Sequence, residues 1–157
     1  MRSLGALGLG VLGLVGLTAC AAPELEPLPA AFSLPLRNPT APIASQSDVT
    51  LARLQGAWIV TEGAGIPLGT VQFSRDHVVV EGVRLPVAMT TGGRLRFGDE
   101  DLWVHWLDIN NRTAAIGAPS GGRVWIMDRT GQPGERRAAA RKILAWYGYD
   151  LSRMTEG

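Results

Sequence analysis

The residues of this chain that could do chemistry are its two histidines, one acidic run, one serine between glycines and a single cysteine. His77 follows Asp76 at a turn, a pairing that could orient an imidazole for proton transfer. His105 sits within an alternating apolar segment. Neither has a partner at metal-ligand spacing, so surface or wall roles are expected for both. Asp99-Glu100-Asp101 supplies three carboxylates, but a calcium loop needs further oxygen ligands at fixed spacing, and an exposed turn is expected. Gly117-Ala118-Pro119-Ser120-Gly121 lacks the Gly-x-Ser-x-Gly spacing of a nucleophile elbow, and the apolar runs beside it make it a hairpin. No catalytic residue, metal site or cofactor is expected, and the protein is not expected to be an enzyme. Cys20, the only cysteine, cannot form an intramolecular disulfide.

Cys20 ends a segment with a pattern of its own. Met1-Arg2-Ser3 carries one positive charge, and residues 4–17 are Leu, Val, Ala and Gly, the charged start and apolar centre of a secretory signal peptide. The run is shorter than the roughly 20 apolar residues of a membrane span, and its glycines weaken a helix. It closes on Leu17-Thr18-Ala19-Cys20, which resembles the bacterial lipobox. The resemblance implies a lipoprotein: residues 1–19 are removed and the Cys20 thiol carries a diacylglycerol. Small residues before Cys20 let a peptidase reach the backbone, and two or three acyl chains anchor stably where one does not. Ala21, rather than Asp, follows the cysteine. That favours the outer membrane, facing the periplasm.

Residues 20–47 hold six of the ten prolines and no helical or strand period, as expected of an extended linker. Fully extended it would reach about 80 Å at about 3.1 Å per residue. The other reading is that residues 32–36 pack on the domain as a strap. Residues 48–157 suffice for one compact core. With 15 basic and 14 acidic residues and no basic stripe, nucleic acid is not an expected partner, and a monomer is expected.

Within the domain, short apolar runs alternate with turn residues, the pattern of an all-β barrel or sandwich. Strands are expected over 57–62, 69–74, 77–83, 84–89, 94–98, 102–108, 113–118 and 123–128. Connections this short give an antiparallel up-and-down meander, and eight strands close into a β-barrel because closure removes sticky edges. A C-terminal helix is expected between Pro133 and Gly148 and packs on the outside. Ala139, Ala140, Ile143, Leu144 and Tyr147 form its apolar face, with Arg136, Arg137, Arg141 and Lys142 solvated opposite or touching anionic lipid heads. A last short strand is expected over 149–154.

Three motifs in order resemble the lipocalins, in particular bacterial lipocalins and apolipoprotein D-like proteins. Leu54-Gln55-Gly56-Ala57-Trp58 is similar to the Gly-x-Trp signature of the first lipocalin strand. Residues 107–114 (Leu-Asp-Ile-Asn-Asn-Arg-Thr-Ala) stand where the second motif falls, and Trp125-Ile126-Met127-Asp128-Arg129-Thr130 resembles the end of the eighth strand. The resemblance implies that Gly56, Trp58 and Arg129 are structural, with Trp58 plugging the closed end and Arg129 stacked on it. Two departures are plain: Asn111 replaces the usual aromatic, and the stretch from Trp58 to Asp108 is short for the family.

By the family's strand parity, Val60, Phe73, Leu85, Val87, Phe97, Val104, Trp106, Ala115, Trp125 and Met127 face the lumen, with Thr113 and Gly117 beside Ala115. Small residues opposite large ones leave either a cavity or an interdigitated core. A cavity makes a lipid-anchored envelope binder of a small apolar ligand, fatty acid or lysophospholipid, serving lipid storage, transfer or scavenging. A solid core makes a periplasmic protein-interaction or inhibitor module, with surface tryptophans such as Trp103 or Trp146 as anchors.

Overall fold

The computed structural model describes residues 34–157. The expected signal peptide, Cys20 and the first part of the expected linker lie outside the described residues. The strands are β1 Gly56–Ala64, β2 Gly69–Phe73, β3 His77–Val80, β4 Val83–Thr91, β5 Arg94–Phe97, β6 Glu100–Leu107, β7 Thr113–Gly117 and β8 Val124–Asp128, with a two-residue β9, Thr155–Glu156. From β1 to β8 each pairs antiparallel with the next, and β1 also pairs with β8, closing the ring. This is the eight-stranded up-and-down barrel expected from the alternation, with helix α2 (Glu135–Trp146) packed outside against β6, β7 and β8.

Three elements differ from expectation. A four-residue helix α1, Leu51–Leu54, precedes β1; the Thr50 side chain caps it by accepting from Arg53 N, and Leu54 is buried. The strand expected over 149–154 is instead a 3-10 turn, Leu151–Arg153, because Asp150 accepts from the Ser152 backbone N–H and holds the chain in a turn. β9 follows it and pairs with Glu62 and Gly63 of β1. Finally, residues 34–47 lie against the barrel, where an extended linker was expected, with a strap over 32–36 as the other reading; the packed stretch runs well beyond that strap. Leu36 donates to Gly121 O at 2.8 Å, Arg37 bridges Tyr149, and Gln46 donates to Val104 O at 2.9 Å.

Single-residue bulges interrupt three strand pairs, β1–β8, β4–β5 and β6–β7, and the first and last of them set which way the candidate side chains point. Two residues of the bulged strand then oppose one of its partner, and the alternation reverses beyond them. In β1 the register with β8 shifts between Val60 and Glu62, so Glu62 turns outward opposite Ile126 and Gly63 turns inward opposite Trp125. In β6 the register with β7 shifts between Val104 and Trp106. Val104 and Leu107 point inward while His105 and Trp106 stay outside.

The outward acids hold the helix. Glu62, 1 % exposed, accepts from Arg137 Nε and Arg141 Nη1, one helical turn apart on α2. Arg137 also pairs with Glu156 of β9. Buried Asp128 accepts from Thr113 Oγ1 at 2.5 Å and pairs with Arg136 at 3.4 Å. The arginine face expected to be solvated is thus the docking face. Ala140 and Leu144 pack beside it, and Ala139 is left exposed.

Removing one side of a buried ion pair is costly mainly when it strands the buried charge. Arg137→Ala/Arg141→Ala leaves Glu62 without a cation and is expected to cost about 3–5 kcal/mol in urea unfolding. Glu62→Gln leaves two half-exposed arginines that water can reach, and should cost markedly less. Equal losses would contradict this account.

Candidate functional site

At one end the barrel is sealed. Trp58 is fully buried and its indole N–H donates to Leu54 O of α1 at 2.7 Å. The Arg129 guanidinium lies 3.6 Å from the Trp58 ring centroid, a cation–π contact. Its nitrogens donate to Ala57 O at 3.1 Å, Arg53 O at 3.2 Å and Asn111 O at 3.1 Å, tying β1, α1 and the β6–β7 turn together. Gly56 is required here: its φ is +102°, and a Cβ would stand 2.9 Å from Arg129 Nη1.

Above this plug the interior is apolar and packed. Val60, Phe73, Val87, Val104, Trp125 and Met127 belong to one buried cluster, with Phe97 partly buried on it and edge-on to Phe73 at 6.0 Å. Three candidates are placed differently. Trp106 and Ala115 face outward, opposite each other and beneath α2 and Tyr149, because the β6 bulge reverses the parity. Thr113 and Gly117 follow them; Thr113 accepts from Arg136 Nε, and the Tyr149 ring covers Gly117. Ala114 and Ile116 hold the inward positions. Leu85 shares a register with buried Val78 but is 38 % exposed, since β5 pairs β4 only from Val87 onward and leaves the β3–β4 hairpin uncovered on one side.

At the opposite end Ile66, Leu68 and Phe97 pack partly buried against the core. The chain leaves β1 through Gly65 and Ile66, and the β7–β8 turn through Ser120, Gly121 and Gly122 stands beside it. With Leu34–Leu36, Arg153 and Thr155 these enclose a groove of about 570 Å³, a size suited to a small ligand. Arg153 is the only charged residue lining it, and its Nη1 donates to Leu34 O at 2.8 Å. A second hollow of about 490 Å³ lies across the turn, between Phe97, Pro119 and the acidic run. That run is an ion-paired turn: Asp101 meets Arg96 at 2.9 Å and Glu100 meets Arg123 at 2.8 Å. Sequence reasoning missed the groove. Its signal was the pair of glycine-rich stretches, residues 63–65 and 121–122, which the meander brings to one end.

One wall of the groove belongs to a strap. Residues 34–46 run from the β7–β8 turn across the end of α2 to β6. Arg37 is buried and donates to Tyr147 O at 2.9 Å and Ala41 O at 2.5 Å. Beneath it, His105 Nδ1 meets Ala44 O at 2.7 Å, so that nitrogen carries the proton, and Nε2 meets the Tyr149 hydroxyl at 2.9 Å. Burial, with Arg37 adding repulsion, pushes the His105 pKa down to about 4. Burial raises that of Tyr149. His77 is different: its Nδ1 meets Asp76 at 2.6 Å at the surface, beside a well exposed carboxylate.

No family model matches this sequence, and no curated protein matches it. Among solved structures the chain is similar to the major allergen Per a 4 from cockroaches, with a TM-score of 0.52 and 10 % identity over 76 % of this chain and 94 % of that one. It is also similar to insecticyanin from the tobacco hornworm Manduca sexta, with a TM-score of 0.51 and 15 % identity over 74 % and 85 % of the two chains. Both are lipocalins, and the barrel is lipocalin-like. At these identities the likeness is one of fold.

The buried histidine makes stability depend on acid. The folded state holds His105 neutral down to about pH 4, whereas the unfolded chain takes up the proton near pH 6.5. Its contribution is therefore complete above about pH 6.5 and is lost as pH falls toward 4, by at most about 3 kcal/mol. Urea midpoints measured from pH 4.5 to 7.5 should rise with pH, and His105→Gln should flatten that rise.

Proposed function

We propose that the protein is a lipid-anchored binder of a small apolar ligand, a fatty acid or lysophospholipid, held in the groove beside the β7–β8 turn of its lipocalin-like barrel. The groove of about 570 Å³ carries this reading, because its mixed lining sets Leu34, Leu36 and Ile66 beside a single cation, Arg153. An acyl chain gains about 25 cal/mol for each Å² it buries, and an anionic head meets a guanidinium. The work is binding, in lipid storage, transfer or scavenging, with no catalytic step. The anchor is an acylated Cys20, which holds a monomer on the outer membrane facing the periplasm. The lipobox-like Leu17-Thr18-Ala19-Cys20 supports that anchor.

A second reading is the filled barrel acting as a protein-interaction or inhibitor module. Two observations favour it. The lower interior is closed by its own side chains, and Trp146 at the end of α2 is 72 % exposed.

Native mass spectrometry separates the two. The full chain bearing Cys20→Ser, challenged with lysophospholipid and fatty acid, should retain one copy of one of them. Gly122→Trp fills the groove and should abolish retention while the barrel stays folded. A folded chain that takes up neither ligand contradicts the carrier and supports the interaction module. The anchor has its own test: in bacterial fractionation the unaltered chain should sediment with membranes and Cys20→Ser should not.

A further inference from the structure

Among the described residues six large apolar side chains are exposed: Leu34, Ile59, Val83, Leu85, Ile109 and Trp146. Scattered singly, such residues need no explanation, since much of any protein surface is apolar. Here four of the six gather at one end. Leu34 lines the groove, and its carbonyl accepts from Arg153 Nη1 at 2.8 Å. Val83 and Leu85 belong to the β3–β4 hairpin. Alternate turns of an up-and-down barrel share an end, so the β3–β4 turn stands at the same end as the groove and the β7–β8 turn. Trp146 closes α2. That helix starts at the closed end, where Arg136 pairs with Asp128, and finishes where Arg37 takes the Tyr147 carbonyl and Leu36 bonds Gly121. Of the other two, Ile109 sits alone in the β6–β7 turn and Ile59 lies along the wall beneath Gly131.

The path of the chain gives this end a direction. The described residues begin at Leu34, and Cys20 precedes it by 14 residues. At about 3.3–3.6 Å per residue that length spans at most about 50 Å. An anchor at Cys20 is therefore attached at the end where the apolar side chains stand. Charge says what kind of surface this end fits. Its exposed charges balance, with Glu81, Asp99 and Asp150 against Arg84, Lys142 and Arg153. Glu100, Asp101 and Glu156 are ion-paired, and Arg136, Arg137 and Arg141 of α2 are taken by Asp128 and Glu62. An anionic surface would need a surplus of cations, and these residues have none to offer.

We infer that this end of the barrel rests on a membrane of zwitterionic lipids, with Leu34, Val83, Leu85 and Trp146 dipped into its interface. This rests on the acylated Cys20 proposed above and deepens it, since the groove then stands at the surface that holds the lipids. The acyl chains supply residence and the rim sets orientation. The β3–β4 backbone is paired within its own hairpin, so Val83 and Leu85 enter the interface without stranding a polar group. An indole at the end of a surface helix suits the headgroup level, where its ring is covered and its N–H stays wet.

The test uses the acylated chain, purified from bacteria and placed in phosphatidylcholine vesicles that carry a spin-labelled lipid as quencher. Acylation of Cys20 leaves no free thiol, so one new cysteine takes a fluorophore alone. Val83→Cys, Trp146→Cys and Ile109→Cys each replace an exposed side chain and leave the fold intact. Fluorophores at positions 83 and 146 should be quenched about twofold or more, as for groups some 5–10 Å into the interface, and the one at 109 by less than about a tenth. Raising salt from about 0.1 M to about 1 M should leave the pattern unchanged, because burial and not charge holds the surface. A chain that floats with the vesicles but is quenched equally at all three positions, or at none, overturns the docking while the anchor stands. Quenching that vanishes in high salt, or that needs phosphatidylglycerol, overturns the zwitterionic surface. Fluorophores at 83 and 146 shielded from water yet untouched by the lipid quencher place a protein on the rim instead. A chain that does not float overturns the anchor, and the docking with it.

Discussion

One extra residue in β1 organises this molecule. Strand alternation allows a side chain only two directions, and the bulge at Thr61 exchanges them for the rest of β1. Below it, Trp58 and Val60 fill the barrel. Above it, Glu62 points out and Gly63 points in. The first of these creates a buried carboxylate on the barrel wall, which fixes α2 through Arg137 and Arg141. The second removes a side chain from that end of the barrel, where Ile66 and Trp125 close in on the Gly63 backbone. Without the extra residue, an acid would enter the apolar interior and the helix would lose its main fixed charge.

The two ends of the barrel are built by opposite means. The closed end uses polar contacts around an aromatic plug: one arginine bonds three backbone carbonyls from three segments while stacking on Trp58. The other end uses glycine-rich turns and a strap fastened from outside by Arg37 and His105. Polar groups pinned by several bonds resist opening, whereas turns with few buried apolar contacts yield at low cost.

What could be read beforehand follows the same division. The strands, their order, the outer helix and the Trp58–Arg129 pair have local signals, namely alternation, turn residues and motif spacing. The reversal at His105 has none, since nothing in Val104-His105-Trp106 marks a bulge, and it carried Trp106, Ala115, Thr113 and Gly117 to the wrong side. The role of Arg136, Arg137 and Arg141 was hidden for a related reason. A helix face rich in arginine is solvated unless something opposite is acidic, and Glu62 and Asp128 face outward only in the folded register. The groove joins segments far apart in the chain, Leu34–Leu36, Gly63–Ile66 and Ser120–Gly122, and so has no local pattern at all.

These placements leave the protein with a strict partition of charge. Among the described residues, the buried carboxylates Glu62 and Asp128 pair with arginines of α2, while the interior cluster is hydrocarbon. A low-dielectric interior magnifies the difference between a neutral and a charged guest, because nothing there reorganises to solvate an ion. The outer ion pairs cannot serve that purpose, since the sheet stands between them and the lumen. Charge is thus kept out of the barrel by what the interior cannot stabilise, and the packed hydrocarbon inside supplies the apolar burial that holds the sheet closed.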